Sequence, residues 1–178
     1  MGTSGEDLAP MHLAPKLERV MRIKMLHGTN DQEGIQGLLK NWLPDVKFDV
    51  LVKCWAFTHG QKKVRSCVGE HTALIKSTMK CSQWKNLMGD FPSQLEQLWK
   101  HKDNVLVLCA DSHGVHRSVA VAAILKHLYE KKGYQSKGPH HLSSDSWQNR
   151  KLCHTCKQCM PNEEKEKMYD ALAAAYQF

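Results

Sequence analysis

Residues 104–124 read NVLVLCADSHGVHRSVAVAAI, and this stretch changes character twice. Asn104 to Cys109 is a short apolar run bounded by polar residues, the pattern of a strand buried on both faces. A polar loop with one glycine, Gly114, follows at once. From Val115 to Lys132 the pattern is helical. Val119, Ala120, Ala122, Ala123, Leu125 and Leu128 fall on the packing side, Lys126, Glu130 and Lys131 face water, and Gly133 ends the run. A buried strand feeding a helix through a short loop is the joint of a parallel α/β unit.

Outward from that joint the other elements are expected as follows. Arg22 to His27 reads as a strand. Asp31 to Trp42 carries Ile35, Leu38, Leu39 and Trp42 at helical spacing and ends at Pro44. Val46 to Phe57 reads as a central strand, and Thr58 to Arg65 as a basic loop. Glu70 to Met79 and Ser82 to Leu87 are helical. Phe91 to His101 is a further helix with Phe91, Leu95, Leu98 and Trp99 as its stripe and Asp90 or Ser93 as its cap. Tyr134 to Lys137 is a last strand, and Glu163 to Tyr176 a closing helix. The order predicts an α/β fold: one small domain, a mostly parallel sheet with helices on both faces, and ligands beyond the carboxyl ends of the strands. Residues 1–20 are expected as a flexible lead, 21–142 as the α/β domain, and 143–178 as a cysteine-rich loop with a C-terminal helix.

Length and composition narrow the class. A chain of 178 residues suits one domain, and 42% hydrophobic with 24% charged residues is ordinary for a globular protein. No apolar run approaches the ~18–20 residues of a membrane span, and Met1 to Pro10 lack a signal pattern, so an intracellular, cytoplasmic protein without membrane contact is expected. The net charge of +7 favours polyanionic partners, and eleven histidines add to it as pH falls toward 6. Seven cysteines, an odd number, argue against a disulfide scaffold and for a reducing compartment.

The loop from Cys109 to Ser118 carries the first candidate chemistry. Backbone N–H groups at a helix start favour a bound oxyanion, and Gly114 permits the turn that points them inward. Arg117 offers a planar fork for phosphate or carboxylate, Ser112 and Ser118 offer hydroxyls, and His113 and His116 are donors whose charge follows pH. Gly114, His116, Arg117, Ser118 and Val119, with Cys109 ahead of them, resemble the C-terminal domain of the RapZ family of RNase adapter proteins, whose loop reads Cys-Thr-Gly-Gly-x-His-Arg-Ser-Val. Phe48-Asp49-Val50 resembles the family's Asp-x-Arg strand without the arginine. Val68-Gly69-Glu70-His71 resembles its Thr-Gly-x-Asp turn, and Gly138-Pro139-His140-His141-Leu142 its histidine-rich stretch. Two extra residues separate Cys109 from Gly114, so the loop here is longer. The resemblance, covering Arg22 to Leu142, implies a non-catalytic domain that binds a phosphorylated sugar or similar anion and contacts structured RNA. It adds Asp49 and His71 to the expected anion-binding residues.

An alternative is a phosphatase-like enzyme in which the Cys109 thiolate attacks phosphorus and Arg117 holds the phosphate. Cysteine phosphatases use Cys-x5-Arg, whereas seven residues separate Cys109 from Arg117 here, which displaces the sulfur from an in-line position.

The second candidate chemistry lies in Lys151 to Pro161, where Cys153, Cys156 and Cys159 form Cys-x2-Cys-x2-Cys. Such spacing directs thiolates to one tetrahedral zinc at ~2.3 Å. His140 or His141 is expected as the fourth ligand, giving a closed, structural Zn2+ site; His154 adjoins Cys153 too closely. Iron–sulfur ligation lacks a clear fourth cysteine. A zinc-stabilised protein-interaction module is the third reading. Lys62, Lys63, Arg65, Lys131, Lys132, Lys137, Arg150, Lys151 and Lys157 are the basic residues that would serve RNA, and Trp147 would cover the zinc or stack on a base.

Overall fold

The computed structural model describes the backbone of residues 16–24, together with residues 47–57, 66–111, 115–141, 147 and 151–176. Four strands, β1 (Lys16–Lys24), β2 (Val50–Lys53), β3 (Asn104–Asp111) and β4 (Ser136–His141), form one sheet in the order β2-β3-β1-β4. Every neighbouring pair is parallel. Helices α1 (Thr72–Lys80), α2 (Ser82–Trp99), α3 (Arg117–Lys131) and α4 (Glu163–Ala175) complete the described elements, with a 3-10 turn at Cys54–Ala56. The α/β class and the parallel sheet match the expectation, and parallel strands bring all four carboxyl ends to one edge.

The pivotal strand and helix form where expected. Alternate residues Val105, Val107 and Cys109 of β3 enter the main core, while Leu108 is buried on the opposite side. Residues from all four helices share that main core, so the described helices gather on one face of the sheet. The expected helix at Asp31 to Trp42 and the basic loop at Thr58 to Arg65 lie outside the described residues. Helix α3 is the hub: Val119 to Leu125, Leu128 and Tyr129 are all buried, as befits a helix packed on nearly every side. Gly133, at φ +85°, stops it. Its N–H donates to Glu130 O and that of Tyr134 to Tyr129 O, which satisfies the last carbonyls.

Three expectations about element bounds change. Strand β1 starts at Lys16 rather than Arg22 and sits between β3 and β4, so residues 16–20 belong to the sheet and not to the lead. Its interspersed charges (Lys16, Glu18, Arg19, Arg22, Lys24) break the apolar run that marks an interior strand, and its register with β3 shifts between Leu17 and Arg19. Strand β2 is short and lies at the end of the strand order, not in the middle, because the chain turns at Cys54. Helix α2 runs unbroken through Pro92, so the two helices expected at 82–87 and 91–101 are one, and neither Asp90 nor Ser93 caps it. Proline forfeits an N–H bond there. The buried stripe of Trp84, Met88, Phe91 and Leu95 offsets that loss, at ~1.5–3 kcal/mol for each large apolar side chain removed from water.

A second, smaller core lies apart from the first. Val68, Val115, Val119 and Trp147 are buried together, with Leu152 packed at their margin. It joins the turn before α1, the entrance to α3 and the segment after β4.

Candidate functional site

Four sulfurs converge beside this smaller core. The Sγ atoms of Cys67, Cys153, Cys156 and Cys159 all lie within 4.8 Å of one another, a group that can hold a metal ion. Backbone pairing brings the two contributing segments together. Val68 N–H donates to Cys153 O (3.0 Å), and Cys153 N–H to Ser66 O (2.8 Å). A tight turn then wraps back, with the N–H groups of Cys159 (2.8 Å) and Met160 (3.0 Å) both donating to Cys156 O. A tetrahedron with ~2.3 Å metal–sulfur bonds has edges of roughly 3.8 Å, so the observed spacing needs only small side-chain rotations to close on one ion. A multi-iron cluster places several metal atoms among its thiolates and requires a wider set.

The fourth member is thus Cys67, not His140 or His141. His140 is exposed on β4. His141 directs Nε2 toward Glu70 Oε1 at 3.5 Å and lies 4.9 Å from the Trp147 ring. Cys67 escaped the sequence reading because it is remote from the other three. Its setting, Ser66-Cys67-Val68-Gly69, differs from the apolar runs around Cys54 and Cys109 and is the signal that marks it out.

The thiols are not equivalent. A hydrogen bond from the Cys159 thiol holds Cys156 down to a pKa of about 7. Burial, and then that same bond, pushes Cys159 well up, and burial also raises Cys67. A metal would displace the retained protons.

Side chains around the sulfurs also hydrogen-bond to the turn. Thr72 donates to Gln158 O from both its N–H (3.0 Å) and its hydroxyl (3.1 Å). Asn162 Oδ1 caps α4 by accepting from Lys165 N–H (3.0 Å), while its Nδ2 donates to Lys157 O (3.1 Å) and Met160 O (3.0 Å). The Lys165 side chain is buried, and its ammonium donates to the carbonyls of Cys159 and Met160. A divalent ion with four thiolates carries net negative charge, and this adjacent cation opposes it.

The β3–α3 junction lies next to the turn from Ser66 to His71. Of the residues expected there, Ser112, His113 and Gly114 lie outside the described residues. Asp111 is buried and its Oδ2 accepts from Ser118 N–H at 2.8 Å, so a carboxylate already caps α3. Arg117 donates from Nη1 to Trp55 O (2.9 Å), which orients its guanidinium, and His116 occupies the N-cap position. The Ser118 hydroxyl is fully buried in the first turn and has no hydrogen-bond partner among the described residues. Cys109 is fully buried and lies against the Cys54 thiol, whose pKa burial raises well above its usual value.

Two expected anion-binding residues have other partners. Asp49 precedes β2 at the amino-terminal edge of the sheet, where it pairs with Lys102 and accepts from Leu106 N–H (2.8 Å). At ~3.3 Å per residue, the length of β3 puts it well over 10 Å from Arg117. His71 caps α1, its Nδ1 accepting from Ala73 N–H (3.1 Å). Of the basic residues, Lys131 is paired with Glu166 (3.3 Å) and Asp170 (2.7 Å), while Lys137, Lys151 and Lys157 are exposed. Lys62, Lys63, Arg65 and Arg150 lie outside the described residues.

Gly69 joins the two sites. Its N–H donates to Val115 O (2.8 Å), and its Cα sits so close to α3 that a Cβ would fall 2.0 Å from His116 O and 2.6 Å from Ala120 N. Trp147 packs into the small core beside Val68, next in sequence to Cys67.

No family model matches the chain, and no curated relative matches it either. Among the described residues, no helix is long and apolar enough to cross a membrane.

Proposed function

We propose that this chain is a non-catalytic binding domain for a phosphorylated sugar or similar anion, with its site at the start of α3 and one structural Zn2+ held by Cys67, Cys153, Cys156 and Cys159. The observation that carries the anion site is the buried Ser118 hydroxyl in the first turn of α3, without a hydrogen-bond partner among the described residues and beside an oriented Arg117. A buried hydroxyl without a partner costs about 1–3 kcal/mol, which a ligand oxygen would recover. Because Asp111 occupies the Ser118 amide, the anion engages this site through the side chains of His116, Arg117 and Ser118 rather than through that N–H. The likeness to the RapZ family supports a sugar phosphate as ligand. The charge of +7 supports RNA as a second partner, whose binding would weaken steeply with salt.

Zinc is the metal that a closed set of four soft thiolates favours, and a closed set is structural. Protein purified without chelator or metal-affinity tag should contain about one zinc per chain by elemental analysis. For the anion, inorganic phosphate at 100 times its dissociation constant should protect the fold by ~2.7 kcal/mol, and Arg117→Ala should abolish that protection. Equal protection of wild type and variant would move the anion site elsewhere.

A further inference from the structure

The geometry points to a coupling between the two sites: we propose that metal occupancy orders the start of α3 and thereby sets the affinity of the anion site. This rests on the reading above, because it assigns regulation to that same site. The turn from Ser66 to His71 serves both sites at once. Cys67 supplies a sulfur to the metal group, and two residues later Gly69 holds Val115 O and lies against His116 O and Val119. Val68, between them, is buried against Val115, Val119 and Trp147.

Without metal, no common ion draws the four sulfurs together. Cys67 and Cys153 then lose their common anchor. The parallel pairing of Ser66 to Val68 with Cys153 is a single isolated bridge and holds little alone. As the turn loosens, the small core loses Val68 and Leu152, and Val115 and His116 lose their support. Arg117 and Ser118 directly follow, so an incoming anion must then bear the cost of ordering them. Metal loading meets that cost in advance. By linkage, the anion must tighten metal binding by the same factor that the metal tightens anion binding, typically about 5- to 150-fold.

Gly69 is the joint, and Gly69→Ala cuts it. An added Cβ cannot coexist with backbone atoms at 2.0 and 2.6 Å, so turn and helix must separate while all four cysteines remain. The test is hydrogen exchange at the amides of residues 115–120 together with the affinity for inorganic phosphate. Both are measured on zinc-loaded protein and on the same protein after chelation. Chelation is expected to speed exchange at these amides more than in the centre of β3 and to weaken phosphate at least 5-fold. Zinc-loaded Gly69→Ala is expected to retain its metal yet exchange like chelated wild type, and phosphate should slow zinc transfer to a chelator in wild type only. Exchange at 115–120 that is indifferent to metal would overturn the coupling. Metal-dependent exchange without phosphate binding would uphold the ordering and sink the anion-binding function, so the two failures are distinct. Should Gly69→Ala not fold, the chelation series on wild type decides the matter alone.

Discussion

The core under the sheet and the small core beside the cysteines bury similar kinds of side chain but differ greatly in size. The first unites β2, β3 and all four helices, with Trp84, Phe91, Ile124, Leu125 and Tyr129 among its interior residues. The second has Val68, Val115, Val119 and Trp147, with Leu152 at the edge. Apolar burial scales with area, so a cluster of this size cannot offset the entropy of ordering the segments that form it. Four thiols that could hold a metal ion gather at its margin. On the proposed reading the sheet half is held by packing and the cysteine half by ligation, and each should then fail in its own way.

The largest effect is expected from breaking ligation. Chelation, or the double substitution Cys153→Ser with Cys156→Ser, should detach residues 147–161 and loosen α4. Loss of a structural metal belongs with the few changes that exceed about 4–5 kcal/mol. The helical circular dichroism of the sheet half should largely survive, with Trp147 fluorescence reporting the loss. One cooperative collapse of the whole chain would erase the distinction between the halves.

A somewhat smaller effect is expected from breaking packing. Trp84→Ala removes a fully buried side chain from the main core and should cost about 3–5 kcal/mol in urea unfolding. Zinc stoichiometry should not change, because Trp84 takes no part in the cysteine group. Metal loss in this variant would show that the halves fold as one unit.

The smallest effect probes the boundary between α3 and α4. His127 stacks on Tyr169 with ring centroids 4.1 Å apart. Burial first, and then the charge of Lys126, lowers its pKa below 6.5. The folded state therefore binds this proton less readily than the unfolded state. The contribution is complete above the unfolded pKa and is lost as pH falls through the folded value, so stability should decline as pH drops below about 6.5. His127→Gln should flatten that decline in melting temperature relative to wild type at the same metal loading. Parallel slopes would remove His127 from the account.

The amino-acid order made some of this legible and hid the rest. The β3–α3 unit is plain because a doubly buried strand must be apolar throughout, and Gly133 terminates the helix by a conformation that other residues rarely adopt. Helix α4 is equally plain, since Asn162 caps it and Glu163, Glu164 and Glu166 suit its first turn. Strand β1 was obscured by the charges interspersed along it, and only its pairing with β3 and β4 marks it as a strand. Pro92 disguised one long helix as two, because the packing that overrides a lost hydrogen bond comes from other elements.

For the sites, local spacing was enough to nominate Cys153, Cys156 and Cys159, since residues three apart in a turn can reach one point without knowledge of the fold. Spacing also nominated the Arg117–Ser118 run directly after a buried strand. It could not supply Cys67, remove Asp49 to the opposite edge, or reveal that Asp111 caps α3. Those depend on which strand ends and turns share an edge, and only tertiary structure sets that. The Gly69 contact is the clearest case: as sequence it is one glycine in a polar turn, and its meaning comes from a helix that passes within reach of its missing Cβ.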